Sequence, residues 1–256
     1  MENESDTIIL NETQRTNIKG WINHGWKLTV DLVKLDQNNE PCAGFCSGFL
    51  MERNGKLYVV SAGHGLGNGE WYFQTHVSDD NSCETALIPM KGVFTLHKVE
   101  VHSSGAASFQ PIDFAWCEIS FSALAKDMKK KPYLIEGTDF LKYTGPLDGV
   151  PVGDLPYTYA AHNRREYSGA LGRNLLELGG TYESCMTYDG IDSETGWYRF
   201  ALARKHQGHS YYKGASGSPI FEPEGRIVSI LLYGDKDNDI LFGLPLNQYQ
   251  ACIGLL

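Results

Sequence analysis

The segment Leu57-Tyr-Val-Val-Ser-Ala-Gly-His64-Gly65 is an apolar run that ends in small residues and a histidine. Its valine-rich half is typical of a buried β-strand. The small residues beside His64 would leave the imidazole free to face a cleft. A histidine after a strand is more often structural than catalytic, so the meaning of this segment depends on what the rest of the chain contains.

Two further segments carry residues that suit nucleophilic catalysis. Asp113 lies in Pro111-Ile-Asp-Phe-Ala-Trp116, and a carboxylate buried there would accept a hydrogen bond from an imidazole N–H and fix its tautomer. Ser216 lies in Gly214-Ala-Ser-Gly-Ser-Pro219, whose glycines allow a sharp turn with N–H groups aimed at an oxyanion. Alone, each segment is explained by an ordinary cap or turn. The order of His64, Asp113 and Ser216 along the chain favours one shared site.

Short apolar runs separated by turn signals occupy most of the chain. Asn54-Gly55 is a two-residue hairpin signal between two such runs. The pattern predicts an all-β barrel or sandwich. The expected strands are 27–35, 45–51, 57–62, 71–77, 92–101, 114–119, 158–161, 184–187, 197–203, 219–222, 227–233 and 240–244. Helices are expected at 121–131 and, as a short terminal helix, at 247–256.

Composition excludes several classes of function. The 256 residues carry 22 Lys and Arg against 31 Asp and Glu, a formal net charge of −9, which argues against nucleic acid or an anionic membrane as the main partner. The acidic start MENESDTIIL has no signal-peptide pattern, and no apolar run approaches a membrane span. Six cysteines in a chain this long do not indicate a disulfide framework. We expect a cytoplasmic protein with reduced thiols.

The chain resembles the chymotrypsin/trypsin-like serine peptidases, of the bacterial and non-secreted type, over residues 26–250. Phe45-Cys-Ser-Gly-Phe-Leu50, the hairpin and Val60-Ser-Ala-Gly-His64 look like the strand pair that leads to the family's histidine. Asp113-Phe-Ala is similar to the family's Asp-Ile-Ala, and Gly214–Pro219 is similar to Gly-Asp-Ser-Gly-Gly-Pro. The resemblance implies two antiparallel six-stranded Greek-key barrels, with the site in the cleft between them.

The Pro/Gly-containing stretch 146–151 is the expected seam between the two barrels. Residues 1–19 would form a polar N-terminal tail or at best a short helix. Residues 20–145 would form the first barrel, which carries the histidine and the aspartate. Residues 146–256 would form the second barrel, which carries the serine, together with the C-terminal segment.

The resemblance also implies a role for each residue. Ser216 Oγ would attack the scissile carbonyl, His64 would take and return its proton, and Asp113 would orient the imidazole. The backbone N–H groups of Gly214 and Ser216 would form the oxyanion hole, and no metal or organic cofactor would be needed. The implied function is a serine endopeptidase acting on protein or peptide substrates through an acyl-enzyme. The alternative is a catalytically silent pseudo-peptidase that binds a partner protein.

Three of the departures from the family pattern concern activation, a disulfide and the loop before the nucleophile. Ala215 stands where the family often has an aspartate that pairs with a newly cut N-terminus, so activation by such a cleavage is not expected. Gly65 stands where Cys46 would have its disulfide partner, and Tyr212 replaces the cysteine that usually anchors the loop before the nucleophile. Control would then come from a regulatory protein partner, from loop ordering or from the N-terminal tail.

The resemblance places a side-chain pocket beside the nucleophile. Ser210 would lie at its base, and its walls would come from Leu232, Tyr233, Gly234 and Gly243. Ser210 carries no charge, so the pocket is expected to favour a large apolar or aromatic side chain. Two alternatives stay open: a shifted loop would bring His209 inward and favour an acidic side chain, and Asp235 would attract a basic one.

Overall fold

The structure, a computed structural model, describes residues 12–35, 41–66, 69–79, 82–90, 92–119, 142–168 and 174–253. Within these ranges the chain is mostly β-strand, with few helices. This confirms the predicted all-β class. The helix expected at 121–131 and the first part of the predicted tail lie outside the described residues.

Helix α1, Glu12–Leu28, occupies much of the predicted polar tail and continues up to the first strand. Its buried positions Ile18, Gly25 and Leu28 recur at helical spacing. The sequence contains this periodicity, but a glycine at one buried position and the tryptophans between them make the apolar face hard to recognise. At Gly25 a β-carbon would lie 3.0 Å from the side chains of Ala160 and Phe221. This close approach packs α1 against the second half of the chain, so the segment from residue 12 is not a free tail.

The first half of the chain forms a seven-stranded antiparallel sheet with the order β5-β4-β1-β2-β3-β7-β6. Its strands are β1 Thr29–Leu35, β2 Pro41–Arg53, β3 Lys56–Ser61, β4 Trp71–Asp79, β5 Ser82–Met90, β6 Phe94–Val101 and β7 Ala107–Ile119. The expected hairpin joins β2 to β3, and Asn54 and Gly55 both have the positive φ, 52° and 75°, that its turn requires. The hydrogen-bonded sheet of the described residues ends at β5 and β6, so the first half is a seven-stranded half-barrel and not a fully closed six-stranded barrel, which is consistent with the expected two-barrel fold.

The apolar segment around β3 is buried on both faces of this sheet. Leu57 and Val59 pack into the cluster inside the first half. Tyr58 and Val60 pack into a second cluster, which also contains residues of the second half such as Phe221. A strand between two apolar layers has no polar face, which explains why its sequence is a continuous apolar run rather than an alternating one.

The second half forms the closed six-stranded barrel that the sequence analysis expected, with the order β10-β13-β12-β11-β8-β9. Its strands are β8 Pro156–Ser168, β9 Asn174–Ile191, β10 Tyr198–Ala201, β11 Pro219–Phe221, β12 Ile227–Asp235 and β13 Ile240–Pro245. A short helix, α2 His209–Tyr212, lies between β10 and β11. Large side chains that include Tyr157, Phe200 and Leu231 fill the barrel.

The C-terminal segment forms two short 3-10 turns, Leu246–Gln248 and Gln250–Cys252, instead of the expected helix. Tyr249 lies between the two turns and stacks on Phe114 of β7, with 5.5 Å between the ring centroids. The path of this segment therefore follows its packing on the first half of the chain, and 3-10 geometry is suited to such short pieces.

Cys46, Cys117, Cys185 and Cys252 carry free thiols. The side chains of Cys42 and Cys83 lie outside the described residues. Among the helices that the structure describes, none has the length and apolar character needed to cross a membrane.

Candidate active site

His64 and Asp113 meet where β3 ends beside β7. The two strands pair from Leu57 opposite Ile119 to Ser61 opposite Ala115, so the residues after Ser61 lie alongside those before Ala115. His64 Nδ1 lies 2.7 Å from Asp113 Oδ2, and the backbone N–H of His64 donates to Oδ1 at 2.7 Å. Both carboxylate oxygens therefore hold His64.

Small residues around His64 permit this approach. A β-carbon at Gly63 would lie 3.2 Å from the backbone nitrogen of Phe114, so the turn can run against β7 only with little or no side chain there. A β-carbon at Gly65 would lie 2.8 Å from the Cβ and Sγ of Cys46. Burial raises the pKa of the Cys46 thiol to about 12, which leaves it protonated and unreactive near neutral pH.

The hydrogen bond that His64 donates to Asp113 raises the pKa of His64, and burial opposes this effect only in part. The Asp113 side chain is 19% exposed and that of His64 is 49% exposed, so the pair has one enclosed end and one open end. In the neutral ring, an Nδ1–H that donates to the carboxylate leaves the lone pair on Nε2. His64 is thereby arranged to accept a proton at Nε2.

Ser216 lies in the turn that joins α2 to β11. Three N–H groups of this turn are used: Ala215 donates to the Tyr212 carbonyl at 2.9 Å, Gly217 to Leu231 at 2.7 Å, and Ser218 to Ala215 at 3.0 Å. In the described part of the chain, the N–H groups of Gly214 and Ser216 donate none of the backbone hydrogen bonds of this turn. Those are the two groups assigned to the oxyanion hole, an assignment that stays a prediction.

Ser47 of β2 joins this turn to the first half of the chain. Its N–H donates to the Ser216 carbonyl at 2.8 Å, and its Oγ donates to the Gly214 carbonyl at 2.7 Å. The hydroxyl of Ser61 donates to the Ser47 carbonyl at 2.6 Å. The sequence analysis did not single out Ser47, and its signal is a polar residue in an otherwise apolar strand segment.

One cavity of about 320 Å³ brings His64 and Ser216 together. The hydroxyl of Ser216 donates to the carbonyl of Leu232 at 2.9 Å. The other residues that line the cavity are His209, Tyr212, Leu231, Leu232, Tyr233, Gly234 and Leu241. The cavity is thus open to a side chain that enters beside Ser216.

The cavity contains three of the five predicted pocket residues, Leu232, Tyr233 and Gly234. Ser210 is an exposed residue of α2 and is not part of the lining. Gly243 is not part of it either, because it lies inside the barrel with the Phe200 ring 3.1 Å from where its β-carbon would be.

The two residues behind the alternative specificities are placed differently. His209 lines the cavity. The Asp235 carboxylate is instead used within its own turn, where it accepts hydrogen bonds from the backbone of Asp237 and from Asn238. Of the side chains that the structure describes, no three His, Cys, Asp or Glu residues are grouped so that they could hold a metal ion.

Solved protease structures share this architecture. The serine endoprotease from Yersinia pestis matches with a TM-score of 0.50 and 10% sequence identity, over 90% of this chain and 63% of its own. The chain has the fold of a trypsin-like serine protease. At this identity, the match says nothing about activity.

Two further matches span a larger share of the solved chain than the Yersinia match does, but their TM-scores are lower. The MamO protease domain from Magnetospirillum magneticum has a TM-score of 0.44 and 16% identity, over 89% of this chain and 96% of its own. A protease from M. tuberculosis in its active form has a TM-score of 0.44 and 12% identity, over 99% of this chain and 94% of its own. No protein-family model matches this trypsin-like chain, and no curated protein matches it.

Replacing Gly217 should destabilise the contact between the two halves of the trypsin-like fold. Its φ is +90°, and a β-carbon would overlap the Ser47 carbonyl and the Ser61 hydroxyl. We expect Gly217→Ala to lower the free energy of unfolding by about 3 kcal/mol or more, measured by urea denaturation. Gly105→Ala is the matched control, since its φ is +80° but nothing lies within 4 Å, and it should cost only about 1 kcal/mol. Equal losses for the two variants would contradict the close contact.

The pKa of His64 should depend on Asp113. An NMR titration of the His64 ring should give a pKa above the ordinary histidine value of about 6.5, and Asp113→Asn should lower it. Because the folded protein raises this pKa, the pair stabilises the fold fully below the unfolded pKa, and this contribution is lost as the pH rises through the folded pKa. A His64 pKa that does not move in Asp113→Asn would show that the pair is not formed in solution.

Proposed function

We propose that the protein is a serine endopeptidase that hydrolyses peptide bonds through Ser216, His64 and Asp113. The observation that carries this proposal is the shared cavity: Ser216 and His64 line it together, and Asp113 holds the imidazole from behind through Nδ1. Three residues with the chemistry of a nucleophile, a base and an orienting carboxylate thus converge from two halves of the chain.

The proposed reaction begins when the Ser216 hydroxyl turns away from the Leu232 carbonyl and donates to His64 Nε2. Its Oγ attacks the carbonyl carbon of the substrate as His64 takes the proton, and Asp113 stabilises the imidazolium. The oxyanion that forms would accept hydrogen bonds from the N–H groups of Gly214 and Ser216, which donate no backbone hydrogen bond of the turn among the described residues. His64 then gives the proton to the leaving amine, and water hydrolyses the acyl-enzyme by the same steps in reverse order.

A second candidate function is a catalytically silent protein that keeps this fold to bind a partner. The specific observation that favours it is the hydrogen bond from the Ser216 hydroxyl to Leu232, which uses the proton that His64 would need to take. A hydroxyl held in this way at all times would not be activated.

A fluorophosphonate probe distinguishes these two functions, because it labels only an activated serine. We expect labelling of the wild-type protein at Ser216, and a loss of turnover of about 10⁴-fold or more in Ser216→Ala and in His64→Ala. Ser218→Ala is the matched control, since this buried serine lies two residues away and its hydroxyl has no hydrogen-bond partner among the described residues. An unlabelled wild-type protein would support the silent alternative.

Cleavage should follow large apolar or aromatic side chains. The cavity beside Ser216 has Leu231, Leu232 and Leu241 in its lining, and burying such a side chain contributes about 1.5–3 kcal/mol. In peptides varied at the residue before the cut, we expect Phe, Leu or Met to raise kcat/KM about tenfold or more over Lys, Arg, Asp and Glu. A preference for Glu that disappears in His209→Gln would show instead that His209 selects an acidic side chain.

A further inference from the structure

Glu183 is a buried carboxylate in β9 that takes no part in the proposed proton transfers. Its residue is only 3% exposed. Arg204 donates from Nε to Glu183 Oε2 at 2.9 Å and from Nη2 to Oε1 at 3.1 Å. The hydroxyl of Tyr212 donates to the same Oε1 at 2.8 Å. Three donors therefore compensate the loss of hydration of this carboxylate.

Tyr212 connects Glu183 to the nucleophile turn, the turn of residues 213–218 that joins α2 to β11 and carries Ser216. Its ring is largely buried and lines the cavity, while its hydroxyl is held by the carboxylate. Its own carbonyl accepts the N–H of Ala215, and the carbonyl of Ala215 accepts the N–H of Ser218. Ser216 lies between these two donors, so Tyr212 links Glu183, which its hydroxyl binds, to the turn that carries Ser216, which its backbone carbonyl binds.

On the side of the second barrel, β12 binds the residues after Ser216 directly: the Gly217 N–H donates to the Leu231 carbonyl at 2.7 Å, and the Leu231 N–H donates to the Ser218 carbonyl at 2.8 Å. Ala215 is fully buried and has no polar side-chain atom, and the four described cysteines are free thiols. The Ser47 contacts hold the carbonyls of Gly214 and Ser216 from the opposite side. The turn is thus held by Ser47 of the first sheet on one side. On the other side it is held by β12 after Ser216 and, before Ser216, by Tyr212, whose hydroxyl is bound to Glu183.

We propose that Glu183 is a positioning residue, which fixes the nucleophile turn through the hydroxyl of Tyr212. Held in this way, Ser216 stays at the wall of the cavity that His64 also lines. The inference rests on the proposed function, because a positioning role has meaning only if Ser216 transfers its proton to His64 as proposed. A purely structural role would change stability alone, whereas a positioning role also changes the reactivity of Ser216 in the folded protein.

Tyr212→Phe is the variant that tests this proposal, since it removes only the hydroxyl and keeps the ring in the cavity. We expect the rate constant of fluorophosphonate labelling, per folded molecule, to fall about 10- to 100-fold, with kcat reduced and KM for a peptide substrate little changed. Tyr157→Phe is the matched control. Tyr157 is also fully buried in the barrel, and its hydroxyl bonds to the Val152 backbone at 2.7 Å without reaching the turn. It should lose comparable stability and keep the wild-type labelling rate.

Variants of Glu183 separate its role from that of the Tyr212 ring. Glu183→Gln keeps an oxygen that can accept from Tyr212, so it should retain most of the labelling rate. Glu183→Leu has no acceptor and should be as slow as Tyr212→Phe, and the double variant Glu183→Leu/Tyr212→Phe should be no slower than either single one. Additive losses in the double variant would overturn the proposal.

Hydrogen exchange of the peptide 213–219 makes the result independent of activity. Tyr212→Phe should speed the exchange of the Ala215 and Ser218 amides, while Tyr157→Phe should leave it unchanged. An unlabelled wild-type protein would overturn the proposed endopeptidase, and the exchange data would still decide whether Glu183 holds the turn. Unchanged exchange and unchanged labelling in Tyr212→Phe would overturn the positioning role.

Discussion

Two hydrogen bonds from Ser47 to the nucleophile turn fix the distance between the two halves of the candidate site. His64 belongs to the first sheet and Ser216 to the second barrel, so nothing within either half sets their separation. The apolar cluster between the halves supplies attraction, but burial of apolar surface has no direction. The N–H and Oγ of Ser47 supply direction, since they bind the carbonyls of Ser216 and Gly214. Only glycine fits at position 217, because a β-carbon there would overlap the Ser47 carbonyl.

The apolar packing and the site share the same strands. In β3, Val60 packs toward the second barrel, and His64 follows four residues later. In β12, Leu232 packs into the same cluster. Leu232 also lines the cavity, and its carbonyl accepts a hydrogen bond from the Ser216 hydroxyl. Movement of either strand would therefore move a residue of the candidate site, so the rigidity of the core is also the rigidity of that site.

Two carboxylates anchor the site from opposite halves of the chain. Asp113 holds His64 by its backbone N–H and by Nδ1, and Glu183 holds the nucleophile turn through Tyr212. Each carboxylate accepts at least two hydrogen bonds, which compensates the loss of hydration on burial. Asp113 faces the partly exposed His64, whereas Glu183 is enclosed and paired with Arg204. The first therefore suits a group that gains and loses a proton, and the second suits a fixed support.

The sequence by itself predicted most of the strands from local patterns of apolar and turn residues, although not β5, and its resemblance to a known family implied the closed second barrel and the three candidate catalytic residues. It did not determine α1 as a packed helix, the seven-stranded first sheet, or the support of the turn by Ser47 and Glu183. It also placed Ser210 and Gly243 in a pocket whose lining includes neither. These features depend on contacts between residues far apart in the chain. Their side chains follow no local pattern, so only the tertiary structure decides which of them meet.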